Sequence, residues 1–242
     1  RKLIQSHPQI PNLYNILGIV LQKKGDFNES ILNFRQAINI QSNFDQAHNN
    51  LGNVLKDIGK FEEAIVSYQQ ALKLNPNYTE AYSNLGNAFR TLGKFEEAIV
   101  NHQQALKLNP NYAEAHSNLG NVLGELGKFE EAIACYQQAL KLNPKYTLSN
   151  YNEALIRLTL GEFVIGWEKY EYRFDRDQVS FMRYETDKIW DGSYLDGTLL
   201  VWAEQGVGDH ILFASMLTDL RKYAKNIILE IDKRLVNLFK WY

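Results

Sequence analysis

Cysteine occurs once in the 242 residues, at Cys135, so no intrachain disulfide can form and nothing points to an oxidising compartment. Charge of one sign is not in excess either. The 26 Lys and Arg residues stand against 28 Asp and Glu, for a net charge of −2, so the basic bias expected of a nucleic-acid partner is missing. No apolar run approaches the roughly 18 residues needed to span a bilayer. The opening RKLIQSHPQI has no apolar core of a secretory signal, and it lacks an initiator Met, which predicts a fragment or a processed product. These absences predict a soluble, cytoplasmic protein of one or two domains, without a membrane or nucleic-acid partner.

Proline is scarce, five in all, yet three of the five are evenly spaced. The segment KFEEAI recurs at 60–65, 94–99 and 128–133, and QQALKLNP follows each copy, ending at Pro76, Pro110 and Pro144. A fixed 34-residue period means stacked supersecondary units. The register gives repeats at 45–78, 79–112 and 113–146, a more divergent one at 11–44 after a lead-in at 1–10, and a degraded fifth hairpin at 147–180.

Inside one unit the apolar residues follow helical spacing. In 79–112, Ala81, Leu85, Ala88 and Phe89 make one stripe, and Phe95, Ala98, Ile99 and Leu106 make a second. Gly93 ends the first helix where a left-handed residue is accepted, and Asn109-Pro110 ends the second. Gly86 and Ala98 are small where two antiparallel helices approach. One hairpin cannot bury both stripes alone, so neighbours must stack. The predicted fold is an all-α superhelical solenoid.

Leu-Gly at unit positions 7–8, Gly at 15, an aromatic at 17, Ala at 20 and 27 and Pro at 32 resemble the tetratricopeptide repeat. Leu85, Gly86, Gly93, Phe95, Ala98, Ala105 and Pro110 fill those places in one unit. The departure is position 4, often Trp in the family, which here holds Tyr14, His48, Tyr82 and His116.

In such repeats the first helix of each hairpin lines an inner groove, so residues 34 apart in sequence form ladders. Asn50, Asn84 and Asn118 occupy position 6, with Asn152 extending the row; Asn53, Asn87 and Asn121 occupy position 9. Ile16 and Ile19 interrupt both rows at the N-terminal repeat. An amide offers donors and an acceptor together, which suits the N–H and C=O of an extended polypeptide. The arrangement resembles the asparagine ladder of protein O-GlcNAc transferase. It does not resemble the basic carboxylate clamp of chaperone co-factors, because Asn15, Asn49, Ser83 and Ser117 stand where Lys and Arg belong. The same amides also have a structural use, in bonds to backbone or neighbouring side chains. His48, His102 and His116 align with tyrosines and read as packing, Cys135 reads as a plain thiol, and the Glu pairs after each Lys-Phe complement a helix dipole. No metal site and no nucleophile–base pair stands out in the repeats.

After about residue 175 the period stops. Residues 181–198 read as a linker, and 199–242 as strand, glycine turn, helix, strand, helix, the start of a parallel α/β (Rossmann-like) sheet. GEFVIGWEKYEYR, Trp190-Asp191-Gly192 and LLVWAEQGVGDHILFASML resemble bacterial proteins that join tetratricopeptide repeats to a GT-B glycosyltransferase domain, with a heptosyltransferase-like first βα unit. That resemblance implies Gly206 and Gly208 in the turn, Asp209 as the base on the acceptor hydroxyl, and a nucleotide sugar as the parent enzyme's co-substrate. His210 departs from the small hydroxyl residue usual there. Only two strands precede Tyr242, so no sugar transfer and no cofactor are expected of this chain itself.

Three functions remain open from the sequence: a groove for an extended polypeptide in a scaffold or recruiting role, the recruiting arm of a glycosyltransferase, and end-to-end self-association. Changing Asn50, Asn84 and Asn118 together to Ala is expected to weaken partner binding and leave thermal stability nearly unchanged. A large drop in melting temperature with intact binding would instead mark these amides as structural.

Overall fold

The computed structural model describes residues 6–172, 193–202 and 217–230, in two compact units, Arg1–Arg176 and Asp177–Tyr242. The first unit contains ten helices among its described residues. They pair into five hairpins: α1 (Pro11–Lys23) with α2 (Phe27–Ile40), α3 (Asp45–Asp57) with α4 (Phe61–Leu74), α5 (Thr79–Thr91) with α6 (Phe95–Leu108), α7 (Ala113–Glu125) with α8 (Phe129–Leu142), and α9 (Thr147–Thr159) with α10 (Phe163–Tyr170). The last pair occupies the stretch read as a degraded hairpin.

The turns follow from the sequence. Gly25, Gly59, Gly93, Gly127 and Gly161 have φ between 71° and 81°, a region that costs other residues roughly 1–2 kcal/mol. The residue after each glycine donates its amide five residues back, as in Lys60 N to Leu55 O at 2.9 Å and Lys94 N to Phe89 O at 3.0 Å. This bond satisfies carbonyls that the first helix leaves open. Second helices stop at Leu74, Leu108 and Leu142, and the asparagine that follows each is extended, as the proline behind it demands.

Within each hairpin one ring sets the approach of the two helices. Phe34, Tyr68, His102 and Tyr136, all at position 24, lie against Gly18, Gly52, Gly86 and Gly120, at position 8. A Cβ on any of these glycines would come within 2.5–2.7 Å of the ring. First helices also touch the first helix of the next repeat (α1–α3, α3–α5, α5–α7 and α7–α9), and no contact of similar extent joins second helices. First helices therefore line the inner side.

The apolar core has two clusters. One runs from Ile31 and Phe34 through Leu51, Val54, Leu55, Ala64, Ile65 and Tyr68 to Leu85 and Ala88. The other gathers Leu119, Leu123, Ala132, Tyr136 and Ile156. The gap between them is where His102, a polar ring, takes the place of tyrosine.

The second unit holds β1 (Leu195–Trp202) and β2 (Ala224–Glu230), paired in parallel with Leu199 opposite Ile227 and Val201 opposite Leu229. A one-turn helix, α11 (Leu217–Leu220), precedes β2. β1 opens at Leu195, inside the stretch expected to be linker. Asp196 and Gly197 read as turn residues, yet the strand is held there by Leu195 N to Tyr223 O at 2.7 Å and by an ion pair from Lys225 to Asp196 at 3.2 Å.

Gly52→Ala tests the ring contact. The new methyl lands 2.5 Å from Tyr68 Cε1, and overpacking of this kind costs about 1–3 kcal/mol, read as a lower urea midpoint at unchanged slope.

Candidate functional site

The first helices carry the asparagines that the sequence singles out, and the structure gives all of them but Asn87 a side-chain hydrogen bond. At position 6 the amides reach back one repeat: Asn50 Nδ2 donates to Asn15 Oδ1 at 3.0 Å, Asn84 Nδ2 to Asn49 Oδ1 at 3.1 Å, and Asn118 Nδ2 to Ser83 Oγ at 3.4 Å. These bonds join residues 35 apart, from position 6 of one repeat to position 5 of the one before. A second set of rungs runs from position 12 to position 13 of the next repeat, Gln22 Nε2 to Asp57 Oδ2 at 2.7 Å and Arg90 Nη1 to Glu125 Oε1 at 2.5 Å. Position 5, which the carboxylate-clamp comparison treats as empty of cations, is thus an acceptor row inside the stack.

The rungs change one expectation. Each net hydrogen bond of this kind contributes about 0.5–1.5 kcal/mol, so the position-6 amides carry a share of stability. They also fix orientation: with one N–H committed to the preceding repeat, each amide keeps its carbonyl oxygen and second N–H for another partner.

At position 9 the amides connect the groove to the hairpin interior. Tyr68 Oη donates to Asn53 Oδ1 at 2.8 Å, and Tyr136 Oη donates to Asn121 Oδ1 at 2.9 Å. Asn152 joins this row rather than the first, donating Nδ2 to Asn121 Oδ1 at 2.8 Å. Burial pushes the phenols of Tyr68 and Tyr136 well above their ordinary range, so both remain donors throughout.

Repeat 79–112 breaks the pattern. His102 is fully buried, and neither ring nitrogen has a hydrogen-bond partner. Burial, followed by the nearby Arg90 guanidinium, pushes its imidazole down to about 4. The sequence aligns this ring with tyrosines as packing, and the packing is as expected; what the alignment does not reveal is that a buried imidazole ends up without a partner. His48 and His116 do more than pack. His48 Nε2 lies 3.3 Å from Ser42 O and His116 Nε2 3.0 Å from Pro110 O, and Tyr14 Oη donates to Pro8 O at 3.2 Å. A ring at position 4 therefore ties the helix to the turn six residues before it. Cys135 is half-buried and its thiol is pushed up to about 11, chiefly by burial, so it stays protonated.

The fifth hairpin closes the polar rows with charge. Glu153, fully buried, stands where the repeats have Leu51, Leu85 and Leu119. It pairs with Arg157 at 2.8 Å and Lys169 at 3.1 Å; Arg157 also pairs with Glu162, and Lys169 Nζ donates to Asn150 Oδ1 at 3.0 Å. Gly206, Gly208 and Asp209 lie outside the described residues, so the catalytic expectation there stands on resemblance alone. Among the described residues no helix is long and apolar enough to cross a membrane.

Comparison with known proteins accounts for the repeats. The TPR repeat family model matches 18–59, 52–93 and 86–127, and the tetratricopeptide repeat model matches 113–146, together more than half of the chain. Protein FlbA of Caulobacter vibrioides is 36% identical over 92 residues; the match spans 36% of this chain and 15% of FlbA's length. Among solved structures, MamA superposes with a TM-score of 0.58 at 26% identity, over 65% of this chain and 92% of that one. YrrB superposes at 0.55 and 20% identity, over 72% and 90%, a likeness of fold.

His102 generates a pH prediction. The unfolded imidazole takes a proton near 6.5 and the folded one only near 4, so protons favour the unfolded chain. This contribution is whole above pH 6.5 and is lost as pH falls towards 4, to a total of about 3 kcal/mol. Urea midpoints measured at pH 7 and pH 4.5 should fall more for the native chain than for His102→Tyr.

Proposed function

The chain belongs to the tetratricopeptide-repeat family, and from that premise we propose that its first-helix groove binds an extended polypeptide segment through the segment's backbone, in a scaffold or substrate-recruiting role. The observation that carries this reading is the set of oriented amides at Asn50, Asn84 and Asn118. Each is turned the same way by its rung to the preceding repeat, and each keeps a carbonyl oxygen and an N–H for a peptide unit. YrrB, of the same fold, is described as a TPR protein with an unusual peptide-binding site, which adds support.

Spacing refines the partner. Packed helices lie about 8–10 Å apart, and an extended or polyproline II segment advances about 3.1–3.4 Å per residue. One rung therefore meets about every third peptide unit. A polyproline II segment, with three residues per turn, presents the same face to every rung. Recognition through backbone groups makes little demand on side chains, so the groove selects conformation first and sequence second.

Peptide display on the whole chain should yield binders that compete with one another. Asn50→Ala, Asn84→Ala and Asn118→Ala combined should weaken them at least tenfold, while the three lost rungs lower stability by about 1.5–4.5 kcal/mol in all. Undiminished binding by the folded triple variant would refute the groove reading.

A further inference from the structure

The position-9 amides are chemically unequal, and the inequality falls at the middle of the ladder. Asn53 Oδ1 is taken by the Tyr68 hydroxyl. Asn121 Oδ1 accepts from both the Tyr136 hydroxyl and Asn152 Nδ2, so both of its lone pairs are in use. Asn87, between them, makes no side-chain hydrogen bond to the described protein. The cause lies beneath it. His102 sits on Gly86 as Tyr68 sits on Gly52, with its Cε1 and Nε2 2.7 and 2.8 Å from where a Cβ would stand. An imidazole is shorter than a phenol and carries no hydroxyl to reach the position-9 amide. His102 is completely buried with neither nitrogen partnered, and the Nε of Arg90, one helical turn beyond Asn87, is buried and unpartnered as well.

We propose that Asn87 is the principal anchoring contact of the groove, the one position-9 amide whose carbonyl and N–H are both open to a peptide unit, freed by the histidine at 102. This rests on the groove reading. At Asn53 or Asn121 a peptide N–H must share or displace a tyrosine hydroxyl, and displacement leaves a buried phenol without its acceptor. At Asn87 nothing is displaced, and the full donor–acceptor pair meets the backbone of the bound segment. The ligand group is a neutral peptide unit rather than a carboxylate, because the Arg90 guanidinium is already engaged by Glu125 at 2.5 Å. The free amide lies in the central repeat, beside Asn84, so the middle of the bound segment is held most firmly.

The proposal predicts opposite signs for stability and binding in one variant. His102→Tyr returns a hydroxyl to Asn87, so its melting temperature should rise, while affinity for the peptide selected by display on the native chain should fall at least tenfold. His102→Phe, the same ring without a hydroxyl, should lose distinctly less affinity than His102→Tyr. Asn87→Ala should match the binding loss of His102→Tyr with an unchanged melting temperature. Asn53→Ala should lower the melting temperature, by stranding Tyr68, and cost less binding. Equal affinity of native and His102→Tyr chains, or equal losses for Asn53→Ala and Asn87→Ala, overturns the proposal and leaves the groove reading standing. If display on the native chain returns no peptide, both fall together.

Discussion

An aromatic ring seated on a glycine is the contact on which the solenoid depends. Position 24 supplies the ring and position 8 the bare backbone, and the pair recurs at Phe34–Gly18, Tyr68–Gly52, His102–Gly86 and Tyr136–Gly120. It sets how closely the two helices of a hairpin approach, and with that the angle at which the next hairpin meets the stack. It also carries information outward. Where the ring is tyrosine, its hydroxyl passes between the helices and fixes an asparagine in the groove, so interior packing decides what the inner surface offers. Where the ring is histidine, the same seat is filled and the amide above it is left open. The apolar core divides at that point too, since Tyr68 and Tyr136 each belong to a cluster and His102 to neither.

Much of this was legible because the chain repeats itself. KFEEAI and QQALKLNP at a 34-residue period fix the hairpins, the positive-φ turn glycines and the asparagine rows without further help. The rungs were not legible. They link position 6 to position 5 of the preceding repeat, an offset of 35 set by how neighbouring helices tilt, and no intrachain periodicity shows it. Asn152 illustrates the same limit. It aligns with the first row, yet it bonds to Asn121 in the second, while Ser117, the position-5 residue its rung would reach, takes the Ser149 hydroxyl at 2.9 Å. Glu153 was not legible either: a carboxylate in a leucine position is invisible to a search for apolar stripes, and its partners Arg157 and Lys169 come from two different helices. The β1 start was missed because Asp-Gly signals a turn, and only a paired neighbour makes it a strand.

The stack therefore has a uniform frame and non-uniform contents. Rungs repeat along the inner helices wherever the repeats are alike, and each departure from the consensus falls at a place with consequences. Isoleucines occupy the groove rows at the N-terminal hairpin, an unpartnered histidine lies in the middle, and an ion cluster sits in the last hairpin.

That last cluster has a consequence for how the array assembles. Copies as similar as 45–78, 79–112 and 113–146 offer nearly interchangeable faces, so a folding chain has little to distinguish a correct neighbour from one displaced by a whole repeat. Glu153 removes the ambiguity within one hairpin. Its cations are Arg157 on α9 itself and Lys169 on α10, and the other second helices hold Asn33, Ser67, Asn101 and Cys135 at the place of Lys169, so α9 closed on any of them would bury the carboxylate with one cation fewer. The fifth hairpin is thus keyed to itself, whereas the hairpins before it are built from nearly interchangeable parts.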